Sequence, residues 1–104
     1  MASFREWSKS AQQQMEAALG PKFEFKAISA EQGDFGDLEG IQFDSDHCGG
    51  FLYFWSSGSM QFHLFDYQSD TEVVPNTLES VDTDEMVQEF MNFLIQKVKS
   101  TEDQ

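Results

Sequence analysis

The segment GGFLYFWSSGSMQFHLFDY, residues 49–67, decides the fold. It holds seven aromatic side chains, including both tyrosines of the chain. Ser57-Gly58 divides it into two runs of strand-forming residues, a pattern typical of a β-hairpin. The segment therefore predicts two neighbouring antiparallel strands joined by a tight turn.

Two loop lengths are open at this turn, and each places different side chains on a common face. A two-residue loop pairs Trp55 with Met60, Tyr53 with Phe62 and Phe51 with Leu64. A type I turn with Gly58 as a left-handed bulge residue instead groups one wholly apolar set, namely Leu52, Phe54, Met60, Phe62 and Leu64. The opposite face then carries Phe51, Tyr53, Gln61, His63 and Phe65. We favour the second register because its inner face holds no polar group.

The second strand of the hairpin has two unlike faces in either register. Met60, Phe62 and Leu64 alternate with Gln61, His63 and Phe65 along the chain. One face is therefore core, and the other is more apolar than the solvated face of a sheet usually is.

The chain before the hairpin predicts a helix and two strands. Ser3 and Glu6 form a capping box, and Gly20-Pro21 ends the helix. Its apolar stripe consists of Phe4, Trp7, Ala11, Met15, Ala18 and Leu19. Residues 22–27 alternate as a half-buried strand, residues 31–40 are glycine-rich and acidic and predict an exposed loop, and residues 41–45 predict a second strand.

The chain after the hairpin predicts an edge strand and a closing helix. Residues 72–74 form a short strand that Pro75 ends. Asp82 and Glu85 cap the helix, and residues 100–104 form a loose tail. The apolar stripe of this helix consists of Met86, Val87, Phe90, Met91, Phe93, Leu94 and Val98.

These elements predict one domain over residues 1–104. The fold class is α+β, with a four- to five-stranded antiparallel sheet whose N- and C-terminal helices pack on one face. The other face of the sheet, which carries His63 and its neighbours, is then left open.

Charge is distributed unevenly along the chain. The formal net charge is -13, and no Lys or Arg occurs between Ala27 and Gln96, where fourteen acidic residues fall. Such a body repels nucleic acid and anionic membranes, and it speeds the association of basic proteins by roughly 10- to 1,000-fold at low salt. We therefore expect a basic protein partner, with no nucleic acid and no membrane.

The single cysteine, Cys48, excludes an internal disulfide and fits a reducing compartment. Residues 1–14 contain no apolar run of the kind found in signal peptides. We therefore expect a cytoplasmic protein.

Catalytic and metal-binding patterns are weak in this sequence. Asp44, Asp46, His47 and Cys48 are close together, but a calcium loop starting at Asp44 would have Trp55 where a bidentate Glu is required. A zinc site lacks a second ligand pair, and the nearby carboxylates raise the pKa of the cysteine rather than lower it. The sequence predicts no enzyme activity, no cofactor and no metal.

The order of elements resembles the TriTu family of bacterial immunity proteins. The resemblance covers about residues 4–95. It rests on Trp7 in an N-terminal amphipathic helix, on the run FLYFW, on the W-x-S-G step from Trp55 to Gly58, and on the strand and helix that follow. Ser56 stands where members of the family often have an acidic residue.

This resemblance implies a small cytoplasmic antidote that binds and blocks a toxin without doing chemistry. The expected partner is a basic toxin domain, and the free protein is expected to be a monomer or a weak dimer. The resemblance does not supply contact residues; the open face of the hairpin and the acidic segment do. The contacts expected from them are Phe51, Tyr53, Gln61, His63 and Phe65, with Asp34, Asp37, Glu39, Asp44 and Asp46 as acidic contacts. Two alternatives remain open: an acidic secretion chaperone or adaptor that holds an extended effector segment, and a DNA mimic that binds several basic enzymes.

Overall fold

The computed structural model describes residues 3–33 and 36–103. Its elements are α1 (Phe4–Leu19), a 3-10 turn (Gly20–Lys22), β1 (Glu24–Gly33), β2 (Gly36–Asp44), β3 (Cys48–Trp55), β4 (Ser59–Asp66), β5 (Thr71–Ser80) and α2 (Asp84–Glu102). The strands form one five-stranded sheet in the order β1-β2-β3-β4-β5, and every neighbouring pair is antiparallel. Both helices contact one face of this sheet. The predicted α+β class is confirmed.

The central hairpin adopts the second of the two registers. Leu52 lies opposite Phe62 and Phe54 opposite Met60. The turn spans residues 56–58, and Gly58 has a φ of 98°, a left-handed conformation that costs glycine no side-chain clash. The wholly apolar face is therefore the one that the helices cover.

The core lies between that face and the two helices. Its buried sheet residues include Ile41, Phe43, Cys48, Leu52, Phe54, Met60, Phe62 and Leu64, and its buried helix residues include Ala11, Met15, Val87, Met91, Leu94 and Val98. The predicted helical stripes are thus largely confirmed. Phe93 is the exception, since 43% of it is exposed. It lies at the margin of the stripe, with its ring centroid 6.4 Å from that of Phe62.

The helix boundaries correct two predictions. The Ser3 hydroxyl accepts a hydrogen bond from the Glu6 amide, as the capping box requires. The cap of α2, however, is Thr83, whose hydroxyl accepts from the Met86 amide at 3.1 Å. The loose tail is also wrong for residues 100–102, because α2 continues to Glu102. Thr101 is buried there, and its hydroxyl donates to the Lys97 carbonyl.

The strands are longer than the sequence predicts. The exposed loop over residues 31–40 is wrong, because β1 runs to Gly33 and β2 begins at Gly36. The second strand accordingly covers residues 36–44 rather than 41–45. The edge strand covers residues 71–80 and passes through Pro75, which an edge strand tolerates because it has no partner on its outer side. The register shifts near this proline, between Phe62 and Leu64.

Candidate functional site: the open face of the sheet

The face of the sheet opposite the helices carries a continuous group of aromatic and polar side chains. We call it the outer face and define it by Phe51, Tyr53, Trp55, Gln61, His63 and Phe65. β3 and β4 supply three residues each, because residues two apart on a strand share a face and directly paired residues do too. Each of these two strands is paired with another strand on both sides, so the sheet holds the backbone beneath the outer face firmly in place.

The aromatic rings of the outer face stack on one another. Phe51 and Tyr53 have ring centroids 4.4 Å apart with planes inclined by 13°. The His63 ring lies on Phe51 at 5.5 Å and 22°. Farther along, Phe65 contacts Tyr67 at 6.0 Å. The stacked rings of Phe51, Tyr53 and His63 are half-buried, although the two helices pack on the opposite face of the sheet.

Two glycines leave room for rings to lie close to the backbone. A Cβ at Gly40 would stand 2.7 Å from Tyr53 Cδ1 and 2.4 Å from the Leu52 carbonyl oxygen. A Cβ at Gly49 would collide with the Tyr67 hydroxyl. A glycine has no side chain, so an aromatic ring from a neighbouring strand can lie over it. This contact helps to fix the position of the ring.

Hydrogen bonds fix the polar ends of the same side chains. Gln42 Nε2 donates to the Tyr53 hydroxyl at 2.9 Å. Trp55 Nε1 donates to Gln61 Oε1 at 3.0 Å, and Gln61 Nε2 donates to Asn76 Oδ1 at 2.8 Å. These hydrogen bonds hold the side chains of the outer face in one arrangement.

Carboxylates border the outer face at one end. The Tyr67 hydroxyl donates to Asp44 Oδ1, and this bond is the main cause that raises the pKa of Tyr67 to about 12. Glu72 Oε2 lies 3.8 Å from His63 Nε2. A shallow groove of about 350 Å³ lies beside these groups, floored by Gly49 and Gly50.

The expected contact residues are only partly brought together. Phe51, Tyr53, Gln61, His63 and Phe65 share the outer face, and Asp44 lies at its margin. Asp46 is exposed in the turn between β2 and β3. Asp34 lies outside the described residues.

Asp37 and Glu39 point the other way. Both pair with Arg5 of α1, at 3.6 Å and 3.5 Å. Glu39 lies directly opposite Phe54, whose side chain is in the core. These two carboxylates therefore border the helix-covered side and do not extend the outer face.

Sequence reasoning did not place at this site several residues that belong to it or border it: Gln42, Trp55, Tyr67, Glu72, Asn76 and Leu78. Trp55 and Tyr67 could have been found, since each continues a two-residue alternation from Tyr53 or Phe65. Leu78, which is 42% exposed and lies opposite Gln61, sits on a strand that the sequence predicts only in part.

The polar cluster considered for metal binding is divided by the strand alternation. Asp44 lies at the margin of the outer face, while Cys48 faces the helices and is fully buried. Burial is the largest cause that raises the pKa of Cys48 to about 11, so the thiol stays protonated at neutral pH. Within residues 3–33 and 36–103, no three His, Cys, Asp or Glu side chains are grouped as metal ligands would be.

Across the same part of the chain, neither helix has the length and apolar composition needed to cross a bilayer. Comparison of the chain with protein-family models, with curated proteins and with solved structures finds no match.

Proposed function

We propose that this protein is a cytoplasmic immunity protein that neutralises a cognate bacterial toxin by covering its active site or substrate groove. The observation that carries the proposal is the outer face: an aromatic sheet surface, free of helices, on a chain of net charge -13. A surface of this kind suits a folded, basic protein.

The size of the sheet is appropriate for such a contact. Five strands spaced by about 4.8 Å, with about eight residues at 3.4 Å each, give a face of about 24 by 27 Å. Its area of about 650 Å² approaches the roughly 800 Å² per partner of a standard protein interface. The neighbouring turns would supply the remainder.

The composition of the outer face also suits tight binding. Aromatic side chains bring a large apolar area into an interface and dominate the binding energy where they are packed centrally. The stacked Phe51, Tyr53 and His63 rings are already ordered in the free protein, so little conformational entropy is lost on association.

The acidic charge acts mainly on partner choice and on rate. Toxin domains that act on nucleic acid are basic around their active sites, and a carboxylate-rich inhibitor is attracted to such a cleft. Asp44 accepts a hydrogen bond from the Tyr67 hydroxyl, and Glu72 Oε2 lies 3.8 Å from His63 Nε2, so both carboxylates border the outer face. They would lie at the rim of the interface, where charges steer encounter.

The proposal is tested by expressing the chain with the toxin encoded beside it and purifying the complex. We expect a complex with the folded toxin domain in which the enzymatic activity of the toxin is lost. Binding to an extended or unfolded segment, with the folded domain left active, would instead identify a secretion chaperone. Binding to several unrelated basic enzymes would identify a general DNA mimic.

A further inference from the structure

The two edges of the sheet differ in how well they resist pairing with a further strand. β1 and β5 are the edge strands of the described sheet, and each is hydrogen-bonded to a neighbouring strand on one side only. Proteins discourage pairing at such edges with proline and with irregular register. β5 contains Pro75 and shifts its register twice along β4. β1 has no proline, and its register with β2 is regular from Glu24 to Ala30, so β1 is the open edge.

Little of the described chain covers the β1 edge. β2 is the element that contacts β1 extensively, because α1 lies over β2 and β3 and α2 lies over β3, β4 and β5. The side chains of Ala27, Ser29 and Ala30 are small and exposed. No turn or cap hydrogen bond of the described residues uses the backbone of β1. A strand laid beside β1 would therefore meet unpaired backbone N–H and C=O groups.

The charges on β1 indicate which strand would fit there. Glu24 lies directly opposite Asp44 of β2, so two carboxylates are neighbours on the side of the sheet that carries the outer face. Like charges in this position destabilise a sheet. Lys26 is the next residue of β1 on the same side. Glu24 and Lys26 are both exposed, and neither makes an ion pair or a side-chain hydrogen bond to the residues that the structure describes.

This pattern is complementary to itself when two such strands run antiparallel. A carboxylate and an ammonium two residues apart on one strand meet their opposites on a second copy, twice, because a two-fold axis relates the copies. Among the five strands of the described sheet, only β1 contains lysine or arginine. The β1 edge is therefore the part of the sheet where two copies of this acidic chain repel each other least.

We propose that two copies of the chain pair antiparallel along β1, in the register centred on Phe25. Residues 23–27 of each copy take part. Lys26 of each copy then lies opposite Glu24 of the other, where it also compensates the charge of Asp44. Phe25, which is half-buried beside Phe23, lies opposite Phe25 of the second copy on the helix-covered side. The two sheets become one sheet of ten strands.

The size of this contact implies a weak dimer. Five residues at about 3.4 Å each give a shared edge of about 17 Å. This is much smaller than a standard interface of about 800 Å² per partner, so we expect a dissociation constant of about 0.1–1 mM. The two-fold axis is perpendicular to the sheet, so both outer faces lie on the same side and stay uncovered. Pairing at β1 therefore does not depend on the function proposed above.

The experiment is sedimentation velocity of the full chain from about 10 µM to about 1 mM, at a salt concentration of about 0.15 M, where charges more than about 8 Å apart are largely screened. We expect dimer to appear as the concentration rises. Glu24→Lys and Lys26→Glu each replace two ion pairs by like-charge pairs, and each should weaken the dimer about 3- to 30-fold. The double variant Glu24→Lys, Lys26→Glu restores the opposite charges and should regain the original affinity.

These variants separate strand pairing from general repulsion. Glu24→Lys makes the chain less acidic and Lys26→Glu makes it more acidic, so repulsion alone would change the affinity in opposite directions. The double variant keeps the net charge of -13. Glu79→Lys makes the same change of charge on β5, the other edge strand, and should not weaken the dimer. Thermal unfolding checks that each variant folds.

Three results would overturn the proposal: a chain that stays monomeric at the highest concentration, single variants that dimerise as well as the original chain, or a double variant that does not recover. A monomeric chain would leave the β1 edge to a strand of a different protein. None of these results bears on the outer face, whose own test is inhibition of the toxin.

Discussion

Phe51 and His63 lie directly opposite each other on β3 and β4, with their rings stacked at 5.5 Å. Tyr53 stacks on Phe51 at 4.4 Å, and Glu72 lies 3.8 Å from His63. Phe51 is therefore the middle of a stack that joins apolar, hydrogen-bonding and ionic groups. The outer face behaves as one structural unit rather than as separate exposed side chains.

Replacing phenylalanine by alanine should lower the free energy of unfolding by different amounts on the two faces of β3. Phe54 is fully buried in the core, whereas Phe51 is half-buried on the outer face. We expect Phe54→Ala to lower the free energy of unfolding by about 3–5 kcal/mol. Phe51→Ala should lower it by only about 1 kcal/mol, the scale of a cross-strand pair. Urea denaturation of both variants measures the difference, and equal losses would contradict the assigned register.

Alternation between polar and apolar residues explains why the hairpin could be predicted from the sequence. From Leu52 to Leu64 the strand side chains that face the helices are all apolar, and only the second register groups them on one face. Asp66, buried on the same face at the end of β4, is the polar exception. The extension of β2 over Asp37 and Glu39 gave no such signal. Its carboxylates are balanced by Arg5, a residue about 30 positions earlier, and such a tertiary ion pair is invisible to local pattern.

The candidate site was predictable to the same extent as the strands that carry it. Residues of β3 and β4 were assigned to the outer face correctly. Asp37 and Glu39, which were expected in an exposed loop, are not on that face, because they belong to a strand whose alternation turns them toward the helices. Leu78 was missed because Pro75 was taken as the end of the strand, whereas an edge strand can continue past a proline.

The glycines beneath the rings predict two different responses to alanine. At Gly40 a Cβ would meet the Leu52 carbonyl at 2.4 Å, and backbone cannot move aside easily. We expect Gly40→Ala to cost about 1–3 kcal/mol. At Gly49 the obstacles are the ends of the Tyr67 and Asp44 side chains, which can rotate away. Gly49→Ala should therefore cost less, and a larger loss than at Gly40 in thermal or urea unfolding would contradict this account.

Alkaline pH should weaken the fold through Tyr67. Its pKa is raised from 10.0 to about 12, chiefly by the hydrogen bond to Asp44. Because the folded pKa lies above the unfolded one, the contribution is complete below pH 10 and is lost as the pH rises through about 12. The free energy of unfolding, measured across this pH range, should fall less for Tyr67→Phe than for the unsubstituted protein.

Asp44→Ala is the companion variant for the tyrosine titration. Without the carboxylate, the absorbance of tyrosinate should appear at lower pH, as the pKa of Tyr67 returns toward its ordinary 10.0. If the titration of Tyr67 is the same in this variant, the hydrogen bond to Asp44 is not what raises the pKa of the phenol.

Charge predicts a salt-dependent rate of complex formation. The screening length falls from about 30 Å at 0.01 M salt to about 8 Å at 0.15 M, so steering by the acidic surface weakens. We expect the association rate constant with a basic toxin to fall about tenfold over this range, with little change in the dissociation rate. Stopped-flow mixing measures the first, and an association rate independent of salt would contradict steering.

The most direct measurement is the affinity of two matched triple variants for the toxin that we propose as the partner. One replaces Tyr53, His63 and Phe65 of the outer face by alanine, and the other replaces Phe93, Gln96 and Ser100, which are exposed on α2. Calorimetry should find binding weakened by about 100-fold or more in the first, since central aromatic contacts contribute about 2 kcal/mol or more. It should find little change in the second. Undiminished affinity of a folded outer-face variant, or an equal loss in both, would contradict the claim that the toxin docks on the outer face.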